Sequence, residues 1–154
     1  MKMFLPCLYA FLGCVTFSVI FEEKRPRIIL SCSVTGFAAW LVYLLFGFLG
    51  TSIRMQTVRY FIAAVVVALL SEMFARIHKS PATLFLTIGI IPLVPGAGIY
   101  YTMEALLNGS ISLFVRRGLE TVACAGAIAV GCSLVSSVFR MCSAARRRSA
   151  LREE

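Results

Sequence analysis

Five stretches of roughly 20 mostly apolar residues fill this chain, and that is the length a helix needs to cross a bilayer's hydrocarbon core. They cover about 3–21, 28–50, 60–77, 82–107 and 119–139 of the 154 residues. Apolar residues reach 60%, charged residues only 14%, and the mean hydropathy is +0.91. A chain of this size has too little interior to hide so much apolar surface from water. A soluble enzyme, a disordered tail and a disulfide-rich secreted module are therefore excluded as readings. The expected fold is all-α: a polytopic helical membrane protein, one integral domain over 1–154 in contact with the lipid bilayer, with about five transmembrane helices and a basic tail over 140–154. The first stretch has little positive charge before it and no small-residue cleavage site after it, so it reads as a retained helix rather than a signal peptide.

The formal net charge is +8, from 15 Lys and Arg against 7 Asp and Glu. The bases sit in short connections and at the end of the chain, where topology places them, and form no basic stripe with interleaved aromatics. No nucleic-acid partner is expected. With five spans, Lys24, Arg25, Arg27, Arg76, Lys79, Arg140, Arg146, Arg147, Arg148 and Arg152 share one side. Lys2, Arg54, Arg59, Arg116 and Arg117 fall on the other, with Arg54 and Arg59 in the loop before the third span. The positive-inside rule then places the C-terminus in the cytoplasm and the N-terminus outside a cell (plasma) membrane. A re-entrant fourth segment would orphan the basic tail and fits the charges less well.

Six cysteines, Cys7, Cys14, Cys32, Cys124, Cys132 and Cys142, form no C-x-x-C pair, and His78 is the single histidine. Thiols in apolar segments act as small hydrophobes. No metal site, cofactor or catalytic constellation is expected, and the chain does not read as an enzyme.

The third span carries Ala64, Ala68, Glu72 and Arg76 at steps of four, hence on one helix face. Small residues there admit a close neighbour. Glu72 lies about 18 Å into the span at 1.5 Å per residue, where an acid costs about 2.5 kcal/mol or more. Either Arg76 neutralises it and both reach the headgroups, or Glu72 and Arg76 serve a proton or charge relay facing the bundle interior.

Ser80-Pro81 opens the fourth span, with Ser as a cap and Pro at the first helical position. About ten residues later comes Pro92-Leu93-Val94-Pro95-Gly96-Ala97-Gly98, which cannot continue a regular helix. The spacing predicts a break near the bilayer midplane. Backbone groups freed there find no partner in lipid and must face protein, water or a ligand. Pro92, Pro95, Gly96 and Gly98 are therefore candidate substrate-binding positions; a simple proline kink is the alternative. Tyr100 and Tyr101 follow, either to supply hydroxyls or as interface aromatics. Asn108-Gly109-Ser110 turns into a short amphipathic piece ending at Arg117. In the fifth span Ala123, Ala127 and Gly131 form a small-residue ladder. Arg116 and Glu120 make an i, i+4 pair, with Glu120 a further relay candidate or simply part of a tight seam.

The run Ser71-Glu72, Ala75-Arg76, Lys79, Pro81-Ala82-Thr83, followed by Gly89-Ile90-Ile91-Pro92-Leu93-Val94-Pro95-Gly96-Ala97-Gly98-Ile99-Tyr100-Tyr101-Thr102-Met103, resembles the threonine/serine exporter (ThrE) family. Gly118-Leu119-Glu120-Thr121 and Ala125-Gly126-Ala127-Ile128-Ala129, then Gly131, resemble its later part. The match is to the all-membrane second half, which also occurs as a separate small subunit. The resemblance implies amino-acid export of threonine and serine, coupled to proton movement, with a small anionic or zwitterionic substrate and a separate partner membrane subunit. Related pairs imply dicarboxylate export as an alternative. A non-transporting scaffold or assembly subunit is the rival class, and it leaves the two prolines and two glycines unexplained.

Overall fold

The computed structural model describes residues 4–21, 25–49 and 53–150. Lys2, the acidic and basic residues at 22–24, and Arg152 lie outside them. The described elements are all helical: α1 (Phe4–Ile20), α2 (Pro26–Leu45) continued by a 3-10 turn (Phe46–Leu49), α3 (Ile53–His78), α4 (Ala82–Ile90), a second 3-10 turn (Ile91–Leu93), α5 (Gly96–Leu107) and α6 (Ile111–Ala150). Three helices are long and apolar enough to cross a membrane, and α4 with α5 makes a fourth apolar crossing bent by 47°. The 17 residues of α1 sit at the short end of what a span requires.

Three boundaries differ from the sequence reading. Helix α3 begins at Ile53, so Arg54 and Arg59 are helical rather than in a loop. Nothing between Ile53 and Tyr60 is a Gly or Pro, and propensity carries the helix on past the apolar stretch. Pro81 takes the N-cap position of α4 and no side chain caps it; the Ser80 hydroxyl donates instead to His78 O at 3.3 Å. The expected amphipathic piece, fifth span and tail are one 40-residue helix, about 60 Å long at 1.5 Å per residue. No proline interrupts it, and the Ala, Ser, Met and Arg residues after Phe139 favour or tolerate helix.

The turns follow local chemistry. Asn108 ends α5, Gly109 adopts φ +71°, and Ser110 N donates to Ala105 O while Gly109 N donates to Leu106 O. That is a Schellman ending, whose left-handed position suits glycine. Lys79, at φ 52°, closes α3 in the same manner, with Ser80 N on Ala75 O.

Helix α3 is the central element, packed against α2, α4 and α6, with α1 on α2 and α5 on α6. Ala63, Ala64, Val67 and Ala68 are buried. The expected small-residue face of α3 thus forms a seam, and α6 meets it through Cys124, Ile128, Gly131, Cys132 and Val135. Ala123 and Ala127 of the expected ladder are only half-buried, so the α6 packing face is turned about one residue from that ladder. Correspondences along the seam fix its direction. Tyr60 shares a cavity with Glu120 and Thr121, the Cys132 thiol reaches toward Ala64 O, and the Arg76 guanidinium lies 4.9 Å over the Phe139 ring. Both numbers rise together, so α3 and α6 run parallel. The α4–α5 pair leaves the end of one and reaches the start of the other, and so traverses the bundle as a broken span rather than re-entering on the same side.

A Cβ added at Gly131 would lie 3.1 Å from Phe61 O and 3.2 Å from Ala64 Cβ. Gly131→Val is therefore expected to push the parallel pair apart and to cost about 1–3 kcal/mol, read as a lower Tm in detergent or nanodiscs.

Candidate functional site

The break in the fourth crossing is a short device. Ile91–Leu93 tighten into a 3-10 turn, Val94 and Pro95 are extended or irregular, and the helix restarts at Gly96. Pro92 and Pro95 lack the N–H groups that would continue the ladder. The first rung of α5 is Ile99 N donating to Pro95 O, and Gly96 N is held by Val94 O. The N–H groups of Ala97 and Gly98 precede that rung and take no intrahelical acceptor. They sit at the positive end of the α5 dipole.

Both residues line a cavity of about 340 Å³. Its walls are Tyr43 from α2, Gln56 and Tyr60 from α3, Pro95 and Tyr101 from the fourth crossing, and Arg117, Glu120, Thr121 and Cys124 from α6. Four helices thus meet around the start of α5. Arg116 Nε donates to Glu120 Oε1 at 3.3 Å. Arg117 lies 3.7 Å from Glu104, donates to Tyr101 O at 3.2 Å and stacks over the Tyr101 ring at 5.2 Å. The cavity therefore offers freed N–H groups, phenol and amide side chains, and one charge of each sign.

Pro95, Gly98, Tyr101 and Glu120 of the sequence candidates come together here. Pro92 does not: it packs on α2, with its Cγ 3.4 Å from where a Gly36 Cβ would stand. A Cβ at Gly96 meets nothing within 4 Å, whereas one at Gly98 would stand 2.6 Å from Thr121 Oγ1. Close approach is thus required of Gly98 alone. Tyr100 is exposed and meets Tyr101 edge-on, at 5.4 Å between centroids.

Glu72 and Arg76 lie elsewhere. Twelve residues separate Glu72 from Tyr60, about 18 Å along α3, so Glu72 and Glu120 stand in different parts of the bundle. The expected Glu72–Arg76 pair does not form: the ion pairs among the described residues are Arg116–Glu120 and Arg117–Glu104. Glu72 instead faces a separate cavity between α3, α4 and α6.

Arg59 is the residue that sequence reasoning missed. It is buried, and its Nε and Nη2 donate to Tyr43 O at 3.1 and 2.9 Å, with the guanidinium 4.2 Å from the Tyr43 ring centroid. Tyr43 lies in the last turn of α2, where carbonyls lack helical partners and the dipole is negative. Arg59 thereby holds the α2 end that forms one wall of the cavity. The available signal was an arginine shortly after a helix ending in aromatics and glycine, a pattern suited to capping carbonyls.

Among the described residues no group of His, Cys, Asp and Glu could hold a metal ion. No curated protein and no solved structure matches the chain. A family described as threonine/serine exporter, ThrE, matches residues 6–138, a range containing the broken crossing, its cavity and the parallel α3–α6 seam. This multi-pass helical membrane protein belongs to the threonine/serine exporter family.

Proposed function

We propose that the chain is the membrane subunit of a secondary transporter that exports threonine and serine, driven by proton movement and working with a separate partner membrane subunit. The observation that carries the reading is the broken crossing opening on the 340 Å³ cavity within the family match. The Ala97 and Gly98 N–H groups suit a substrate carboxylate, as helix N-termini at broken crossings do in other transporters. Glu120 supplies the opposite charge for an ammonium group. With Arg117 and Glu120 on its walls, the cavity offers one charge of each sign, which matches a zwitterion better than a dicarboxylate, so the amino-acid reading is favoured.

A partner is supported by polar groups on outward faces. Ser133 and Ser137 are exposed on α6 and line a groove with Leu86 and Ser136. Lipid leaves such groups unsatisfied, whereas a second subunit covers them. The concentration of Arg76, Lys79 and Arg140 at one end of the bundle supports a cytoplasmic C-terminus in the cell membrane, with the N-terminus outside.

The test is efflux of labelled L-threonine and L-serine from proteoliposomes under an imposed proton gradient. Vesicles holding the chain with its partner should export both, and the gradient should accelerate export. The chain alone should export no faster than empty vesicles. Full efflux from the chain alone would replace the partnered exporter with a homo-oligomer. For the proton role of Glu72, Glu72→Gln in the partnered vesicles should remove the acceleration by the gradient. Unchanged gradient dependence would remove Glu72 from the coupling path.

A further inference from the structure

The second cavity, about 160 Å³ between α3, α4 and α6, is lined by Ser71, Glu72, Thr83, Ser136 and Arg140 beside Ala68, Ala82 and Leu86. It lies at the far end of the α3–α6 seam from the broken-helix cavity, with buried Ala64, Val67, Leu93 and Ile128 in the core between the two ends. Its ionic groups are one acid from α3 and one base from α6. Among the described residues neither Glu72 nor Arg140 makes an ion pair. Both line the cavity, which therefore carries one group of each sign.

Ser71 adds an independent observation. Hydroxyls on other helices of this chain turn back on their own backbone. Ser18 donates to Cys14 O, Ser33 to Ile29 O, Thr35 to Ser31 O and Thr121 to Arg117 O, all at 2.7–2.9 Å. Ser71 is 1% exposed, yet its Oγ has no hydrogen-bond partner. A buried hydroxyl left unpaired costs about 1–3 kcal/mol, and such a group calls for a specific explanation. Ser71 stands on the wall of this cavity.

We propose that this cavity is a second binding site for a small zwitterionic hydroxy-amino acid. Glu72 takes the α-ammonium group, Arg140 the α-carboxylate, and Ser71 or Thr83 the substrate hydroxyl. This assignment rests on the exporter reading and extends it to a second station on the route. The chemistry is selective. A guanidinium presents a planar fork to a carboxylate, and charge-assisted bonds are the stronger ones. A zwitterion satisfies both charges at once. A dicarboxylate leaves one anionic group facing Glu72, and a diamine leaves one cation facing Arg140.

The test is calorimetric binding to the purified full chain in lipid nanodiscs with three probes. L-Threonine carries both charged groups, threoninol lacks the carboxylate, and 3-hydroxybutyrate lacks the ammonium group. Glu72→Gln should weaken L-threonine at least about tenfold while leaving 3-hydroxybutyrate unchanged. Arg140→Gln should weaken L-threonine similarly and leave threoninol unchanged; the retained probe reports that each variant is folded. Ser71→Ala should weaken threonine and threoninol together, by a smaller factor. Succinate should not displace L-threonine from the wild-type chain. Unchanged threonine affinity in both charge variants, equal weakening of all three probes, or no threonine binding by the wild type would overturn the proposal. Export that survives Glu72→Gln and Arg140→Gln but not Gly98→Ala would overturn this site and leave the exporter reading standing. Absence of threonine and serine export by the wild-type chain with its partner would overturn both.

Discussion

Gly98→Ala is expected to lower threonine export on the order of tenfold, with Gly96→Ala close to wild type. The two glycines are two residues apart in the same turn, yet their surroundings differ. The added Cβ at position 98 would stand 2.6, 3.3 and 3.4 Å from the Oγ1, Cγ2 and Cβ of Thr121. Thr121 is β-branched, and its hydroxyl donates to Arg117 O at 2.8 Å, so it does not swing aside freely. The strain must be met by moving α5 from α6, which shifts the Ala97 and Gly98 N–H groups within the cavity. Overpacking of this kind costs about 1–3 kcal/mol, and 1.4 kcal/mol is a factor of ten. At Gly96 the added methyl meets open space. Export assays on vesicles with matched protein content separate the cases. Thr121→Ala combined with Gly98→Ala should recover part of the loss, as coupled neighbours do. Equal activity of the two single variants would show that the α5–α6 contact does not set the geometry of the route.

The second large effect is on stability. Arg59→Leu should lower it by about 3 kcal/mol, since two hydrogen bonds from a charged group and a cation–π contact vanish together. The Tyr43 carbonyl would also lose its side-chain donors at the end of α2. For a chain of this length that is a fall in Tm on the order of 10 °C. Arg59→Lys keeps the charge but not the planar fork and should fall between. Thermal unfolding in nanodiscs checks both. A Leu variant as stable as the wild type would mean that the clamp contributes nothing beyond geometry.

The apolar blocks and the proline–glycine run were legible in the sequence because each rests on a local rule: length against bilayer thickness, and residues that cannot extend a helix. The bend between Ile90 and Gly96 follows from residues within one turn of each other. Arg59 was not legible. In sequence it is one more basic residue between apolar stretches, and its role depends on Tyr43, 16 residues earlier. Nor could helical spacing show that Arg76 leaves Glu72 unpaired. Spacing places Arg76 one turn from Glu72, but Arg76 turns to Phe139, and the base in the Glu72 cavity comes from α6. The continuous α6 was obscured because apolarity ends at Phe139 while helix propensity does not.

The parallel pairing of α3 with α6 also sets an order of events during synthesis. Ala64 and Cys132 meet across 68 residues of sequence. At about 5–20 residues per second, that interval takes on the order of 3–14 s to translate. Within it comes a window in which the proline-broken crossing, Ala82 to Leu107, has been made but the α6 residues that wall its cavity, Arg117 to Cys124, have not. The nascent chain therefore passes through a stage in which freed backbone groups depend on α2 and α3 alone or on a chaperone. Lesions along the late-closing seam, Gly131→Val among them, should reveal themselves first as faster degradation and lower abundance in the cell, before any change in the turnover of the molecules that survive.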